Sequence, residues 1–448
     1  MEFNRSIYNS KYTLFLWGGL SIFIYAIWAY DLARFEHFKL FILYSILFGC
    51  YCLILNQLKI KEQSLTYLAI GLRLIFLVSI PNLSQDFYRF IWDGRLILSG
   101  LNPYLTTPND LMFSQPELFP QMKLLFNGMG PLSASHYSNY PPLHQLPFII
   151  AALLSKHSIL GSVLVLRLLL ISADLGILFF GKKLLKKLQL PTRNIYWFIL
   201  NPLVIIELTG NLHFEGLMLF FFVMALYYVH TKKWYLAALT MALSVAVKLV
   251  PIISLPLFLN KLGWGKSIRF YLIIGAIFIL LFTPFLSDNF FENYSATIGL
   301  WFSNFEFNAS FYYLLNWALE TTSHLTLIHS MGIIVVSFIA LQIGYLLIQN
   351  KTKTTALIIT VLWVLTGYYL ISTTVHPWYI ISLLLLSIFS PYKFARVWSY
   401  TLIFSYFAYN QFNVNEKGFI LCLEYFPVLG ILVWELFNNR SASKLKHH

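Results

Sequence analysis

One stretch of the chain, from Ser84 to Arg95, contains two carboxylates and two guanidinium groups. If residues 86–98 form a short helix, Asp86, Arg89 and Asp93 lie on one face, because residues three and seven apart are neighbours on a helix surface. A rise of 1.5 Å per residue then separates the two carboxylates by about 10 Å along the axis, too far to share a proton. We therefore expect one carboxylate to act as a base at a reacting hydroxyl, while the other orients a sugar or a cation.

The neighbouring side chains support two interpretations of this stretch. Arg89 and Arg95 are cations beside the proposed base and could face an anionic leaving group, and Tyr88 is predicted to bind substrate with them. Alternatively, the segment is an interfacial helix with solvated charges, and Tyr88 and Trp92 lie in the aromatic belt at the membrane surface. The pattern alone does not decide between a site and an interfacial helix.

Two further candidates lie in one short segment between apolar runs. His213 and Glu215 are two residues apart, which differs from the four-residue spacing of a helical zinc pair, so no metal site is predicted. They could orient a sugar or complete a site opposite Asp86, together with Glu207 just before them. The alternative is that they are ordinary polar loop residues.

A lysine and a histidine in other apolar surroundings complete the set. Lys248 lies inside an apolar segment just before Pro251, and an intramembrane lysine suggests a functional site, here for a phosphate. Its alternative is a side chain that extends to the membrane surface. His376 precedes an aromatic pair that could stack on a sugar or belong to the interfacial belt. Arg73, Arg167 and Asp174 also lie in apolar runs, where structural ion pairs between helices are favoured over catalysis.

The composition predicts which elements position these residues. Of the 448 residues, 58% are hydrophobic and only 11% are charged, too few charges to cover a soluble surface. The fold class predicted is therefore an all-α integral membrane protein, a single domain over residues 1–448 with a polytopic bundle of about 12 transmembrane helices. The predicted spans are 12–30, 39–58, 65–82, 159–181, 195–209, 214–230, 269–286, 326–349, 354–371, 377–391, 397–411 and 418–437. Segments 143–155 and 234–259 are predicted to be re-entrant.

The charge distribution sets the orientation. On this topology, 21 of the 31 Lys and Arg residues lie on one side, which the positive-inside rule assigns to the cytoplasm together with both termini. Two long loops, 83–141 and 287–325, lie on the other side, where acidic residues exceed basic ones. The net charge of +13 therefore reflects membrane orientation, and no nucleic-acid partner is expected. Loops of this length are usually functional.

Several motifs resemble a known family when they are taken together. The run from Asp86 to Arg95, then Gly100-Leu101-Asn102-Pro103-Tyr104 and Tyr140-Pro141-Pro142-Leu143, resembles the GT-C fold glycosyltransferases that use polyprenyl-phosphate sugars. The likeness is greatest to the bacterial mannosyltransferase-like, GT87-type group. It continues through residues 211–216, 243–251 and 375–379, and thus covers about residues 80 to 380.

The resemblance implies a transfer reaction at the outer face of the cytoplasmic (inner) membrane. In such enzymes a carboxylate at the start of the first extracytoplasmic loop is the catalytic base, and that role corresponds to Asp86. The donor would be a polyprenyl-phosphate-linked hexose, with mannose implied, and the acceptor a glycan, lipid or protein. The expected course is single displacement with inversion. Divalent-metal dependence varies within this fold, so no cofactor is assigned and a divalent cation stays open.

Two other functions are compatible with a polytopic membrane protein. A secondary transporter or flippase of a lipid-linked saccharide would use broken helices and intramembrane cations. The carboxylates at a helix–loop boundary, and not at the midplane, argue against it. A non-enzymatic scaffold would explain neither long loop. The sequence therefore favours a membrane glycosyltransferase.

Overall fold

A computed structural model describes residues 2–303, 305–323, 326–410 and 414–444 of the chain. Within these ranges the protein is all-α, and the only β-type pairing is two isolated bridges, Phe307 with Thr374 and Tyr409 with Val414. The predicted cytoplasmic C-terminus includes residues 445–448, which lie outside the described part. The predicted all-α membrane fold class is confirmed at this level.

The helices follow one another with short connections. The first seven are α1 (Glu2–Tyr30), α2 (His37–Asn56), α3 (Glu62–Leu74), α4 (Asp86–Leu98), α5 (Pro108–Ser114), α6 (Met122–Ala134) and α7 (Pro142–Ser155). The next seven are α8 (Ile159–Lys187), α9 (Tyr196–Ile199), α10 (Pro202–Val204), α11 (Glu215–His230), α12 (Trp234–Val247), α13 (Phe258–Leu262) and α14 (Trp264–Phe282). The last seven are α15 (Phe290–Ser303), α16 (Phe311–Ser323), α17 (Met331–Ile348), α18 (Thr354–Ile371), α19 (Ile381–Ser387), α20 (Phe394–Thr401) and α21 (Gly418–Lys444).

Seven helical segments in the described residues are long and apolar enough to cross a membrane. They are Lys11–Tyr30, His37–Asn56, Ile159–Lys187, Trp264–Phe285, Ile328–Ile348, Thr354–Ile371 and Gly418–Asn438. An eighth is obtained if Pro202–Gly210 and Glu215–His230, which are bent by 114° at their junction, form one broken span. Each coincides with a predicted span, and these apolar helices confirm a multi-pass membrane protein.

The predicted count of about twelve spans is not confirmed, because five predicted segments are not long, straight helices. Segment 65–82 is a helix only to Leu74, and 195–209 with 214–230 are the arms of the bent pair. Segments 377–391 and 397–411 are short α-helices joined to 3₁₀ turns. The apolar composition predicted where the membrane segments lie along the chain, but it did not predict where their helices break.

In segment 234–259, which is predicted to be re-entrant, the α-helix is interrupted at Lys248. Helix α12 ends at Val247, Lys248 adopts an extended conformation, and a 3₁₀ helix follows over Val250–Leu257. Pro251 and Pro256 lie in that 3₁₀ helix, and proline lacks the N–H that an α-helix needs. The break therefore removes Lys248 from a regular helix.

Buried ion pairs and hydrogen bonds join the central helices. Arg73 Nε lies 2.7 Å from Asp174 Oδ2, and both side chains are buried. Arg167 donates to the carbonyls of Thr209 and Gly210, at 2.8 and 3.1 Å, and to those of Leu77 and Ser79. The predicted ion pair between helices is thus observed for Arg73 and Asp174, whereas Arg167 bonds to backbone carbonyls and has no carboxylate partner among the described residues.

The first long loop folds into three helices, α4 to α6. Helix α4 has the predicted bounds and packs tightly on α7, since a Cβ at Gly94 would lie 2.3 Å from the carbonyl oxygen of Phe148. Only glycine allows this approach. Thr107 and Asp110 form a capping box at the start of α5. The three helices of this loop thus hold Asp86, the first residue of α4, beside the helical bundle.

The second long loop contains α15 and α16, with a short link over residues 305–310 before α16. Phe307 donates its N–H to Thr373 O at 3.0 Å and accepts from Val375 N–H at 2.8 Å. The link therefore lies beside residues 373–375, just before His376.

Candidate active site

Asp86 is the first residue of α4, and its side chain is 37% exposed. The chain before it is fixed by hydrogen bonds: Asn82 donates to the carbonyls of Trp28 and Leu32, and Leu83 N–H donates to Asn211 Oδ1. A carboxylate in the first turn also interacts favourably with the positive end of the helix dipole. Asp86 is thus both held in place and accessible.

His213 lies between two carboxylates. Its Nε2 is 3.7 Å from Asp86 Oδ2, and its Nδ1 is 3.0 Å from Glu207 Oε2. The imidazole is 3% exposed, in the four-residue break between the two bent helices. Both carboxylates raise the pKa of His213 to about 9 although burial acts to lower it, so the ring is an imidazolium at neutral pH.

An aromatic stack covers the other side of His213. The Trp378 ring stacks on His213 with centroids 3.6 Å apart, and His376 stacks on Trp378 at 4.5 Å. Phe307 of the second loop stacks on His376 at 5.0 Å. Burial lowers the pKa of His376 to about 3, so this ring is neutral at physiological pH. The predicted outer-face aromatic residues therefore line one wall of the same cluster.

Lys248 and Glu215 form the second charged pair of the cluster. They make a direct ion pair, with Lys248 27% and Glu215 4% exposed. The Lys248 ammonium also lies 4.8 Å from the centroid of the Tyr379 ring, next to Trp378. The structure thus brings together residues from α4, the bent pair, the α12 break and the 3₁₀ turn at 377–380.

Electrostatics keep Asp86 ionised. Burial acts to raise the pKa of this carboxyl, but the nearby His213, with smaller contributions from His376 and Lys248, holds it below the ordinary value. Asp86 is therefore a carboxylate at neutral pH, the form that can accept a proton.

Other predicted residues lie apart from this cluster, inside the first loop. Arg89 Nε is 2.7 Å from Asp93 Oδ1, and Asp93 is fully buried and accepts a hydrogen bond from Ser138 Oγ at 2.6 Å. Arg95 is buried and bonded to Pro120 O and Gln121 Oε1, and Tyr88 lies against Gly128. These contacts favour structural roles for the four residues and leave Asp86, His213 and Lys248 as the candidates for catalysis and binding.

Several residues around the cluster were not predicted from the sequence. Tyr406 donates a hydrogen bond to Glu207 Oε1, and Asn211 Nδ2 donates to Glu207 Oε2 at 3.1 Å. Arg34 lies with its guanidinium carbon 4.1 Å from the centroid of the Tyr409 ring and donates to Leu83 O. Arg34 is a basic residue on the acidic side of the predicted topology, a signal that could have marked it. Tyr406 lies in an apolar run and gave no such signal.

No group of three or more His, Cys, Asp or Glu residues in the described ranges is arranged to hold a metal ion. The chemistry that the cluster itself offers is a half-exposed carboxylate, an imidazolium behind it and an ammonium group nearby. Together with the apolar helices, these features define a multi-pass membrane protein with a candidate site for acid–base chemistry.

Comparison with known proteins identifies the family. Residues 19–262 match the family model described as Alpha-(1->6)-mannopyranosyltransferase, N-terminal domain, which is more than half of the chain. The chain therefore belongs to this family, and the predicted resemblance to bacterial mannosyltransferase-like glycosyltransferases is confirmed. Asp86, Glu207, His213, Glu215 and Lys248 all lie within the matched residues.

One curated relative is Alpha-(1->6)-mannopyranosyltransferase A of Mycobacterium tuberculosis (strain ATCC 25618 / H37Rv). It is 23% identical over 264 residues, which are 57% of this chain and 48% of the relative. The similarity thus spans about half the length of that relative. No solved structure matches the chain.

Proposed function

We propose that this protein is a membrane mannosyltransferase that transfers a hexose from a polyprenyl-phosphate-linked donor to an acceptor outside the cytoplasm. Family membership supports the reaction class, and the family description supports mannose as the sugar and an alpha-(1->6) linkage as the first to test. The single observation that carries the proposal is the accessible, ionised Asp86 beside His213 and 37% exposed.

The proposed reaction uses Asp86 as the base. An acceptor hydroxyl attacks the anomeric carbon of the donor, its proton passes to Asp86, and the bond between that carbon and the phosphate oxygen breaks. A single displacement of this kind inverts the configuration at the anomeric carbon. The leaving polyprenyl phosphate is already ionised, so it needs charge stabilisation and no proton.

Lys248 is the cation proposed to stabilise that phosphate. Arg89 and Arg95 are buried among loop carbonyls and carboxylates, whereas Lys248 is partly exposed within the cluster. A lysine ammonium suits a phosphate as a point charge. In this assignment the phosphate competes with Glu215 for Lys248. Trp378 and His376 are stacked on other rings, so they would border the sugar with their ring edges.

In the topology proposed with this assignment, the site lies on the extracytoplasmic face of the inner membrane. In this topology both termini are cytoplasmic and about twelve segments enter the membrane. The shorter of these segments, together with segments 143–155 and 234–259, border the site. The isoprenoid chain of the donor would lie between spans. A cavity of about 50 Å³ lined by Met331, Val335 and Tyr379 lies beside α17, one of the least buried spans.

The test is transfer by purified protein. Radiolabelled polyprenyl-phosphate mannose is supplied with candidate mannoside acceptors, and wild type is compared with Asp86→Asn and with Glu117→Gln, which changes an exposed loop carboxylate. We expect transfer by wild type and Glu117→Gln, and a loss of about 10²–10⁴-fold in Asp86→Asn, the usual contribution of a positioned base. The anomeric configuration of donor and product, determined by NMR, tests inversion.

Two results would contradict the proposal in different ways. Equal transfer by wild type and Asp86→Asn would remove Asp86 as the base. No transfer by any variant, with movement of the lipid-linked saccharide across liposomes, would instead favour the transporter function.

A further inference from the structure

A buried chain of charged groups extends from Asp86 into the helical bundle. His213 contacts Asp86 on one nitrogen and Glu207 on the other, at 3.7 and 3.0 Å. Glu207 is fully buried and accepts hydrogen bonds from Tyr406 and Asn211. The Glu207 carboxylate is therefore unavailable to a substrate, and His213 is its only charged contact within ion-pair distance among the described residues.

The backbone that holds Glu207 and His213 is unusual. Glu207 lies in a six-residue π-helix, Ile205–Gly210, and Leu212 has a left-handed φ of 64°. The His213 N–H donates to the carbonyl oxygen of Glu207 at 3.1 Å, which ties the two residues together. π-Helical turns and residues in sparsely populated φ/ψ regions are costly and occur preferentially at functional sites.

A buried arginine fixes the end of this turn. Arg167 donates to the carbonyls of Thr209 and Gly210, at 2.8 and 3.1 Å. The last carbonyls of a helix have no partners within that helix, and this side chain supplies hydrogen bonds to two of them. The position of His213 is thus specified by several independent contacts, and not by its own loop alone.

We propose that Glu207 and His213 are positioning residues that keep Asp86 ionised and fix one of its carboxylate oxygens, leaving the other oxygen free for the acceptor hydroxyl. This inference rests on the function proposed above. A neutral imidazole has one N–H, but here both ring nitrogens face carboxylate oxygens, an arrangement that favours the imidazolium. Glu207 supplies the second negative charge that makes the imidazolium stable beside Asp86.

Charged and titratable side chains face Asp86 from the elements packed around it. They are His213, His376 and Lys248, the phenols Tyr140, Tyr379 and Tyr409, and the imidazoles His136 and His144. Lys248 is paired with the buried Glu215 and His213 with the buried Glu207, but of these two cations only His213 lies within ion-pair distance of Asp86. Removing the charge of Glu207 would therefore neutralise His213 and take the nearest positive charge from Asp86.

The consequence is a shift in the pH profile. Asp86 must be ionised to accept a proton, so its titration sets the acid limb of kcat/KM. In Glu207→Gln we expect His213 to become neutral and the acid limb to move to higher pH by about one unit, the size of effect typical of a nearby opposite charge. The rate below the limb then falls about tenfold.

The experiment measures kcat/KM against pH for wild type, Glu207→Gln and His213→Asn. The matched control is Glu435→Gln, another buried glutamate, which caps the backbone at Lys393 and Phe394 far along the chain. We expect the acid limb to rise in the first two variants and to stay in place in the control. An unchanged limb in active Glu207→Gln or His213→Asn would overturn the proposal.

A second measurement does not depend on activity. Histidine ring carbons are labelled with ¹³C, and the His213 signal is identified by its loss in His213→Asn. We expect an imidazolium at pH 7 in wild type and a neutral ring in Glu207→Gln. A neutral His213 in wild type would disprove the inference even if the protein transferred mannose. Conversely, an imidazolium in a protein without transferase activity would contradict only the proposed function.

Discussion

Asp86 and Asp93 lie on the same short helix, yet their surroundings differ. Asp86 is 37% exposed and faces His213, whereas Asp93 is fully buried and paired with Arg89. A base needs access to a hydroxyl, and a buried carboxylate needs partners for its charge. The two residues, chemically identical in sequence, thus separate into a candidate catalytic group and a structural one.

This difference predicts opposite effects of the same substitution. Asp93→Asn leaves the Arg89 guanidinium without its buried counter-charge, which costs about 3–5 kcal/mol in comparable pairs. Asp86→Asn removes a half-exposed charge and should cost under about 1 kcal/mol. Thermal unfolding in detergent micelles measures both, with Glu117→Gln, an exposed carboxylate of the same loop, as control. Equal unfolding temperatures for the Asp86 and Asp93 variants would refute the separation.

Lys248 carries a second prediction at this scale. If its ammonium faces the donor phosphate, Lys248→Ala should raise the KM for the lipid-linked donor about 10–100-fold, from a charged hydrogen bond of about 1.5–3 kcal/mol. The KM for the acceptor should stay within about twofold of wild type. Initial rates at varied donor concentration provide the measurement, and Lys123→Ala removes a loop lysine as control. A donor KM unchanged in Lys248→Ala would leave the phosphate without its proposed partner.

At the scale of elements, the second long loop is anchored at Asn308. Its backbone N–H donates to Glu416, its Nδ2 donates to Glu424 Oε1 at 3.1 Å, and its carbonyl accepts from Tyr425 at 2.6 Å. Asn308 also has a left-handed φ of 50°, which asparagine tolerates better than most residues. The adjacent Phe307 stacks on His376, so this anchor supports the aromatic wall of the site.

Loss of the anchor should loosen the wall. Asn308→Ala removes the side-chain bond to Glu424 and places alanine in a left-handed conformation, so the link at residues 305–310 should detach from residues 373–375. Hydrogen exchange followed by mass spectrometry should show faster exchange in peptides that contain the amides of Phe307 and Val375. Asn289→Ala, an exposed asparagine of the same loop, should exchange as wild type does. Unaltered protection of those amides in Asn308→Ala would show that the anchor lies elsewhere.

The sequence predicted local elements better than the site. The helix at 86–98 was predicted with its observed bounds, because its amphipathic residues and the glycine that follows are local signals. The contact between Asp86 and His213 joins residues far apart in the chain, and the π-helix around Glu207 differs from an α-helix by one residue in an apolar run, so periodicity could not reveal either. The Arg89–Asp93 spacing was visible, but four-residue spacing is equally that of an intrahelical ion pair.

At the scale of the whole molecule, charged contacts distinguish the two ends of the bundle. Lys182 Nζ lies 2.9 Å from Glu62 Oε2, so the C-terminal part of α8 and the N-terminus of α3 meet. Arg193 donates to carbonyls of residues 57 and 60 at the same end. Asp86 follows the opposite end of α3. The basic residues Lys182 and Arg193 and the candidate site therefore lie at opposite ends of these helices, the arrangement that the positive-inside rule predicts for an outward-facing site.

This arrangement predicts which surfaces meet the outside of the cell. In a background with Cys50, Cys52 and Cys422 replaced by alanine, Glu117→Cys in the first loop should react with an impermeant maleimide on intact cells. Lys351→Cys, between α17 and α18, should react only after lysis. Both positions are exposed, so accessibility to the reagent reports the side of the membrane and not burial. Labelling of residue 351 but not 117 on intact cells would reverse the orientation and place Asp86 on the cytoplasmic side. A donor that presents its sugar outside could then not reach the proposed base.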